Sequence, residues 1–372
     1  MRLLIEKNLL LKALQHVTSV VERRNTIPIL ANVSLSAEGG ALRLKATDLD
    51  IEVTETIPAE VSEAGGTTVP AHTLHDIVRK LPDGSQIEFT LKPDDGRITL
   101  KSGASRFHLA CLPADDFPDL GAGAMPHHFE MHPQDLSRLM GKTRFAVSTD
   151  ETRYYLNGIY LHAAETSEGW RLRGVATDGH RLARMDVELP EGAQEMPSII
   201  LPRKTVHELG KLLTDPDGKV TIDLSPSKIR FTIGDVVLTS KLIDGTFPDY
   251  QRVIPQNNDK SMSAETTVFI SAVDRVSTLS SEKGRAVKME LANGMLTLSV
   301  HNPESGSATE EIAAEYEGEA LEIGFNARYL LDIAEQLESE RAVFKLSDPS
   351  APTVIEDEKD ASALYVLMPM RV

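Results

Sequence analysis

The run Thr177-Asp178-Gly179-His180 sets a carboxylate two residues from an imidazole, the pair that acid-base catalysis or a metal site would use. Both chemistries need more. A metal needs further ligands at fixed spacing, and a hydrolytic centre needs a nucleophile and a group to hold developing charge. The chain has no phosphate-binding P-loop, no His-Glu-x-x-His and no cysteine pair. His127, His128 and His132 cluster at a loop and strand start, where solvated imidazoles are the ordinary outcome. Cys111 is the one cysteine; in the run Phe107 to Leu112 it reads as inert core, excludes an internal disulfide and fits a reducing compartment. No catalytic residue, metal or cofactor is expected, and the chain reads as a binding protein.

With 372 residues, 26% charged and 41% hydrophobic, the chain is long enough for two or three domains with their own cores. No run approaches the roughly 20 apolar residues of a membrane span. Glu6, Lys7 and Lys12 interrupt the apolar N-terminal stretch before it reaches signal-peptide length. The expectation is a cytoplasmic protein that does not engage membranes.

The elements that must position any site repeat along the chain. Thr68-Val69-Pro70-Ala71 through Asp116-Phe117-Pro118-Asp119 is echoed by Ile200-Leu201-Pro202-Arg203 through Thr246-Phe247-Pro248-Asp249, and again from Glu322-Ile323-Gly324-Phe325-Asn326 onward. A period this long means tandem domains. Boundaries fall in the loose stretches after each Phe-Pro-Asp, giving domains 1–127, 128–254 and 255–372. Each opens with a helix. Leu10, Leu14, Val17 and Val21 form one apolar stripe, with Lys7, Lys12, Gln15 and Ser19 away from it. Val33, Leu35, Gly39-Gly40, Leu42 and Leu44 read as a hairpin with one buried face. A second helix carries Leu74, Ile77, Val78 and Leu81 and stops at Pro82-Asp83-Gly84. Later helices are predicted over 134–146, 203–213 (with Leu209 and Leu213), 271–283 and 326–338. The fold class is α+β, three domains of two helices packed on antiparallel sheets.

Charge is unevenly shared. The formal net charge is −17, yet the six helical segments, taken as 7–24, 72–81, 134–146, 203–213, 271–285 and 326–338, together carry +7, leaving −24 on the rest of the chain. Helices often hold lysine and arginine on solvated faces, which alone could give this pattern. The other reading is a basic helical surface that attracts a polyanion and an acidic sheet surface that repels it.

Four segments, Arg153-Tyr154-Tyr155-Leu156-Asn157-Gly158, Ala176-Thr177-Asp178-Gly179-His180-Arg181-Leu182, Gly245-Thr246-Phe247-Pro248-Asp249-Tyr250 and Tyr365-Val366-Leu367-Met368-Pro369-Met370-Arg371, occur in this order on the threefold repeat. In that order the chain resembles, over its whole length, the bacterial sliding clamps, the beta subunits of DNA polymerase III. The resemblance implies three DNA-clamp domains in a crescent that dimerises head to tail into a ring around double-stranded DNA. It also implies a processivity role, tethering the replicative polymerase, the clamp loader and other proteins with a clamp-binding motif. Such a ring needs diffuse positive potential and no base readout.

By the same resemblance, Arg24, Arg153, Tyr154 and Tyr155 match DNA-contacting positions, and the tyrosines could stack on exposed bases or simply pack at a strand start. His72 and Asp150 stand where that family often has arginine and glutamine. Lys142, Arg203, Lys204 and Lys241 are further candidates. The positions matching a hydrophobic peptide pocket are Leu156, Thr177, Gly179, His180, Arg181, Leu182, Pro248, Arg252, Val253, Asn326, Tyr329, Ser350, Pro352, Val366, Leu367, Met368, Pro369, Met370, Arg371 and Val372. Methionines suit a groove with several partners, although the segment also reads as a final core strand. At the dimer joint, strand residues Phe107 and Leu109 should meet Thr278 and Leu279, with Lys101 and Arg106 facing Glu304, Glu310 and Glu311. The competing expectation is a three-repeat protein scaffold unconnected with DNA.

Overall fold

The computed structural model spans all 372 residues and describes 1–92, 96–121, 123–280 and 285–372. Among the described residues there are six α-helices: α1 (Lys7–Thr18), α2 (Ala71–Lys80), α3 (Pro133–Gly141), α4 (Arg203–Leu212), α5 (Thr266–Ser277) and α6 (Ala327–Ala334). The stripe of α1 is buried as expected, with Leu10, Leu14 and Val17 fully enclosed. Lys7 departs from expectation. It is buried, and its Nζ reaches Asp83 Oδ1 at 2.5 Å in the turn after α2. Burial of an ammonium is tolerable because the carboxylate compensates it.

Helix ends differ from the sequence pattern for local reasons. Helix α3 stops at Gly141 rather than 146, where Thr143 Oγ1 bonds back to the Leu139 carbonyl and Arg144–Ala146 forms a separate 3₁₀ turn. Leu212, not Leu213, is the buried last residue of α4. Helix α5 starts five residues before the predicted 271. Thr266 anchors it, its N–H on Glu340 O at 2.8 Å and its hydroxyl on Ser339 O at 2.9 Å. The predicted end of that helix, 281–283, lies outside the described residues, as does Ala122 of the first expected linker. The second expected linker is shortened, because Lys260–Glu265 is a strand paired with Arg341–Leu346. Cys111 is half-buried rather than core; burial still raises its thiol pKa, which disfavours the thiolate.

Contacts divide the chain into two compact units. The first comprises Met1–Ser137, Pro190–Pro197 and Lys204–Leu242; the second comprises Arg138–Leu189, Ser198–Arg203 and Ile243–Val372. In the first unit, an antiparallel five-stranded sheet ends at the edge strand Ser105–Ala110, and an eight-stranded sheet is joined where Val236–Lys241 pairs with Ile51–Pro58. In the second, one twelve-stranded sheet is continuous because Arg181–Glu188 pairs with Asp360–Leu367. Its strand Gly306–Tyr316 pairs on one side along most of its length but on the other only from Ala314 to Tyr316. The unpaired edge runs from Gly306 to Ala313.

Candidate functional site

On the twelve-stranded sheet, alternation separates two faces. Arg181, Tyr365 and Leu367 point to the side bearing α6 and Phe145. Leu182, Leu364 and Val366 point to the other, where they join Leu156, Val175, Ile200, Phe247, Tyr250 and Val354 in one buried apolar cluster. Tyr155, Tyr160, Ile243 and Ile254 pack around it. Val253 and Met368 are exposed. Tyr160 stacks flat on Phe247 at 4.8 Å between ring centroids. Leu367, one residue out of phase with Val366 and opposite Arg181 in the ladder, is buried on the helix side.

Arg181 is a positioning residue rather than a free donor. Its guanidinium bonds Asp178 at 3.2 Å, Asp332 at 2.5 Å and the Phe145 carbonyl at 2.6 Å, and lies 4.3 Å from the Tyr329 ring centroid. Asp178, the acid of the apparent acid-histidine pair, also accepts the backbone N–H groups of His180 and Arg181. This is a turn-forming carboxylate. Thr177 Oγ1 donates to Arg181 O at 2.7 Å, and Gly179 holds φ +90° with Arg153 Nη1 2.8 Å from where a Cβ would stand. His180 lies 6.3 Å from the Tyr329 ring, and its carbonyl accepts from Met368 N–H.

The remaining pocket candidates are brought to other places. Asn326 caps α6 through the N–H groups of Arg328 and Tyr329. Arg252 is exposed and pairs with Asp249 at 2.8 Å, next to exposed Pro248. Pro352 O accepts from Asn258 at 3.0 Å. Ser350, Pro369, Met370, Arg371 and Val372 line a separate cavity of about 1010 Å³ beside strand Leu321–Asn326. Met370 N–H donates to Gly324 O at 2.8 Å there.

Sequence reasoning passed over Val175, Leu364, Phe247 and Tyr250. The first two lie two residues from Thr177 and Val366 on their strands, so strand alternation alone could have found them. Beneath them runs a polar chain. Asp186 takes Arg173 through two bonds of 2.7 Å, Arg173 reaches Tyr250 Oη at 3.2 Å, and Tyr250 Oη meets His162 Nε2 at 3.1 Å. Burial depresses the arginine, but its bonds to Asp186 and Tyr250 outweigh that and hold it above the usual range. Burial lowers the His162 pKa.

The nucleic-acid candidates divide by how committed each charge is. Arg24 and Arg203 are exposed, and among the described residues neither has an ion pair. Lys142 is buried. Its ammonium bonds the Gln336 carbonyl and Glu338 at 2.7 Å, which withdraws it from contact with phosphate. Lys204 pairs with Asp48 and Glu22, and Lys241 with Asp50 at 3.1 Å. His72 Nε2 donates to Val21 O at 2.9 Å, tying α2 to the chain after α1. Asp150 caps the 3₁₀ turn Glu151–Leu156 and bonds Arg153 Nε at 3.0 Å; the Thr152 hydroxyl, then its N–H and Arg153, hold the carboxyl below the usual range. Tyr154 is exposed and meets Tyr155 edge to face at 5.8 Å, both over Gly245.

His128 Nδ1 lies 2.8 Å from Asp223, and among the described residues no group of three or more His, Cys, Asp or Glu side chains could hold a metal. Among the described residues no helix is long and apolar enough to cross a membrane.

Repeated helix pairs packed on antiparallel sheets define the DNA-clamp class. The N-terminal, central and C-terminal domains of the DNA polymerase III beta subunit match residues 1–121, 130–249 and 251–371. The beta sliding clamp of Caulobacter vibrioides NA1000 is 50% identical over 372 residues, all of both chains, and that of Escherichia coli K12 is 39% identical over 375, again all of both. The solved sliding clamp of Bartonella birtlesii bound to griselimycin is 54% identical, with a TM-score of 0.97 and full coverage of both chains. That of Caulobacter crescentus is 50% identical, with a TM-score of 0.98 over 100% of this chain and 99% of the other. The chain therefore belongs to the DNA polymerase III beta subunits, the bacterial sliding clamps. Its fold is three tandem clamp domains, its function that of a DNA sliding clamp, and the scaffold unconnected with DNA is not favoured.

Proposed function

We propose that two copies close head to tail into a ring around duplex DNA, acting without catalysis as a cytoplasmic processivity factor. The replicative polymerase, clamp loader and other proteins then dock in turn through a leucine- and phenylalanine-containing segment. The observation that carries the docking reading is the single apolar cluster around Leu182 and Val366, with Val253 and Met368 exposed. Val253 and Met368 give a partner apolar surface beside that buried cluster. Domain boundaries after 127 and 254 belong to the same reading.

The joint would unite two sheet edges, Ser105–Ala110 of one protomer and the free side of Gly306–Tyr316 of its partner, which hides both. Phe107 and Leu109 are half-buried on that edge, Leu279 is half-buried after α5, and Thr278 is exposed. Lys101 stands directly opposite Arg106 in the ladder, a like-charge pair that carboxylates from a partner would relieve. Glu304 and Glu311 are exposed for that role, whereas Glu310 already takes Arg275 at 2.5 and 3.0 Å. A heterologous contact of this kind closes only if its rotation does.

The test is retention of the loaded protein on closed circular DNA and its release on linearisation. Phe107→Asp should leave a folded monomer that is never retained. Retention that survives linearisation would mean affinity, not topology, and would end the ring reading.

A further inference from the structure

We propose that the docking groove carries its own carboxylate receptor, Arg184, so that the preferred partner segment is an apolar peptide bearing an aspartate or glutamate. The inference rests on the peptide-docking reading above. Strand register places the residue. Ile200, Tyr160, Val175, Arg184, Leu364 and Glu356 lie directly opposite one another on six successive strands and so share one face. Four of those six belong to the groove cluster or pack against it, and Arg184 stands between Val175 and Leu364 in the middle of the row.

Among the described residues its charge has no hydrogen-bonded partner. Arg184 Nε is buried without a partner, and among the described residues no carboxylate pairs with the guanidinium. The acids within reach are engaged elsewhere. Asp186, two residues along the same strand and on the same face, gives both oxygens to Arg173 at 2.7 Å. Glu356, at the end of the row, pairs with Lys345 at 2.5 Å. The neighbouring apolar row, Leu182, Val366 and Val354, offers no acid. Burial lowers the Arg184 pKa, while Asp186 and Glu356 act on it only through charge at a distance, without a hydrogen bond. An unpaired guanidinium on an apolar floor favours a planar carboxylate, which it can take through two hydrogen bonds.

The test uses labelled decapeptides containing one leucine and one phenylalanine, with aspartate or asparagine placed in turn at each position around them. Affinity is read by fluorescence anisotropy for the full chain and for Arg184→Met and Arg184→Lys. At one position the unaltered protein should prefer aspartate by roughly tenfold, as for a hydrogen bond to a charged group. Arg184→Met should erase that preference while binding the asparagine peptide as before, and Arg184→Lys should keep part of it. An equal aspartate preference in all three proteins, or none at any position, overturns the inference but leaves the groove intact. If no peptide binds but Leu182→Asp still abolishes polymerase binding, the inference alone falls. If neither holds, the docking reading falls with it.

Discussion

Gly158 has no room for a side chain: a Cβ there would lie 2.4 Å from the Leu201 carbonyl oxygen, a backbone atom fixed by the strand pair Gly158 to Pro202. At Gly174 the obstacle is the end of Leu139, 2.6 Å away, which can rotate. Overpacking costs about 1–3 kcal/mol. Gly158→Ala should therefore reach or exceed that range and Gly174→Ala fall at its low end, measured by urea denaturation; the reverse order would mean the strand pair is soft. A second residue-level consequence concerns pH. His162 Nδ1 faces the Ala163 carbonyl at 3.0 Å and so carries the proton, leaving Nε2 to accept from Tyr250 Oη. With its pKa lowered by burial, the folded protein holds fewer protons than the unfolded chain below about pH 6.5. The stability His162 contributes is complete above that pH and is lost as pH falls toward its lowered folded value. His162→Phe, which cannot titrate, should flatten the thermal-melting profile between pH 7.5 and 5.5; an unchanged slope would remove His162 as its source.

Continuity of the sheets is the property that no single strand reveals. Val236–Lys241 is an interior strand, paired with Lys228–Ile233 on one side and Ile51–Pro58 on the other. Proline at Thr239, which faces Arg230 and Glu52, deletes a ladder hydrogen bond and should cost about 1–3 kcal/mol from that bond alone. Proteolysis of Thr239→Pro should then begin within the first unit; cleavage confined to the second would show that the join is dispensable. Much of the architecture was legible because α1 and α2 place apolar residues at helical spacing and the Gly39-Gly40 hairpin alternates cleanly. The burial of Lys7 was not, since Asp83 is 76 residues away and only the folded chain unites them. Nor was the early start of α5, where Thr266 and Thr267 favour strand locally but Ser339 and Glu340 supply the anchors. The groove was half legible. Leu156, Leu182 and Val366, expected from the resemblance, share one buried cluster, whereas Leu367 faces the other side of the sheet, as strand phase alone could have told, and the row holding Arg184 depends on pairings between distant strands.

At the scale of the molecule, the question is how a chain of net charge −17 holds a polyanion. Long-range potential from acidic strands and loops opposes phosphate, so attraction must come from cations without an intramolecular carboxylate partner. The structure separates these from the rest. Arg24 and Arg203 are exposed and unpaired among the described residues, whereas Lys204 and Lys241 are each matched by an aspartate and Lys142 is buried against Glu338 and a carbonyl. Each phosphate contact releases counterions and adds about 0.9 to the slope of log affinity against log salt. Removing both arginines as Arg24→Ala with Arg203→Ala should lower that slope by about 2, with solution mass unchanged. Lys204→Ala with Lys241→Ala should lower it far less, because three carboxylates, Glu22, Asp48 and Asp50, already neutralise those two cations in the folded chain. Fluorescence anisotropy of a short labelled duplex, too short to be trapped, titrated with salt, checks both. Should the lysine pair dominate, those ion pairs open for DNA, and the sorting of cations by their partners in the free protein would be the wrong guide to its contacts.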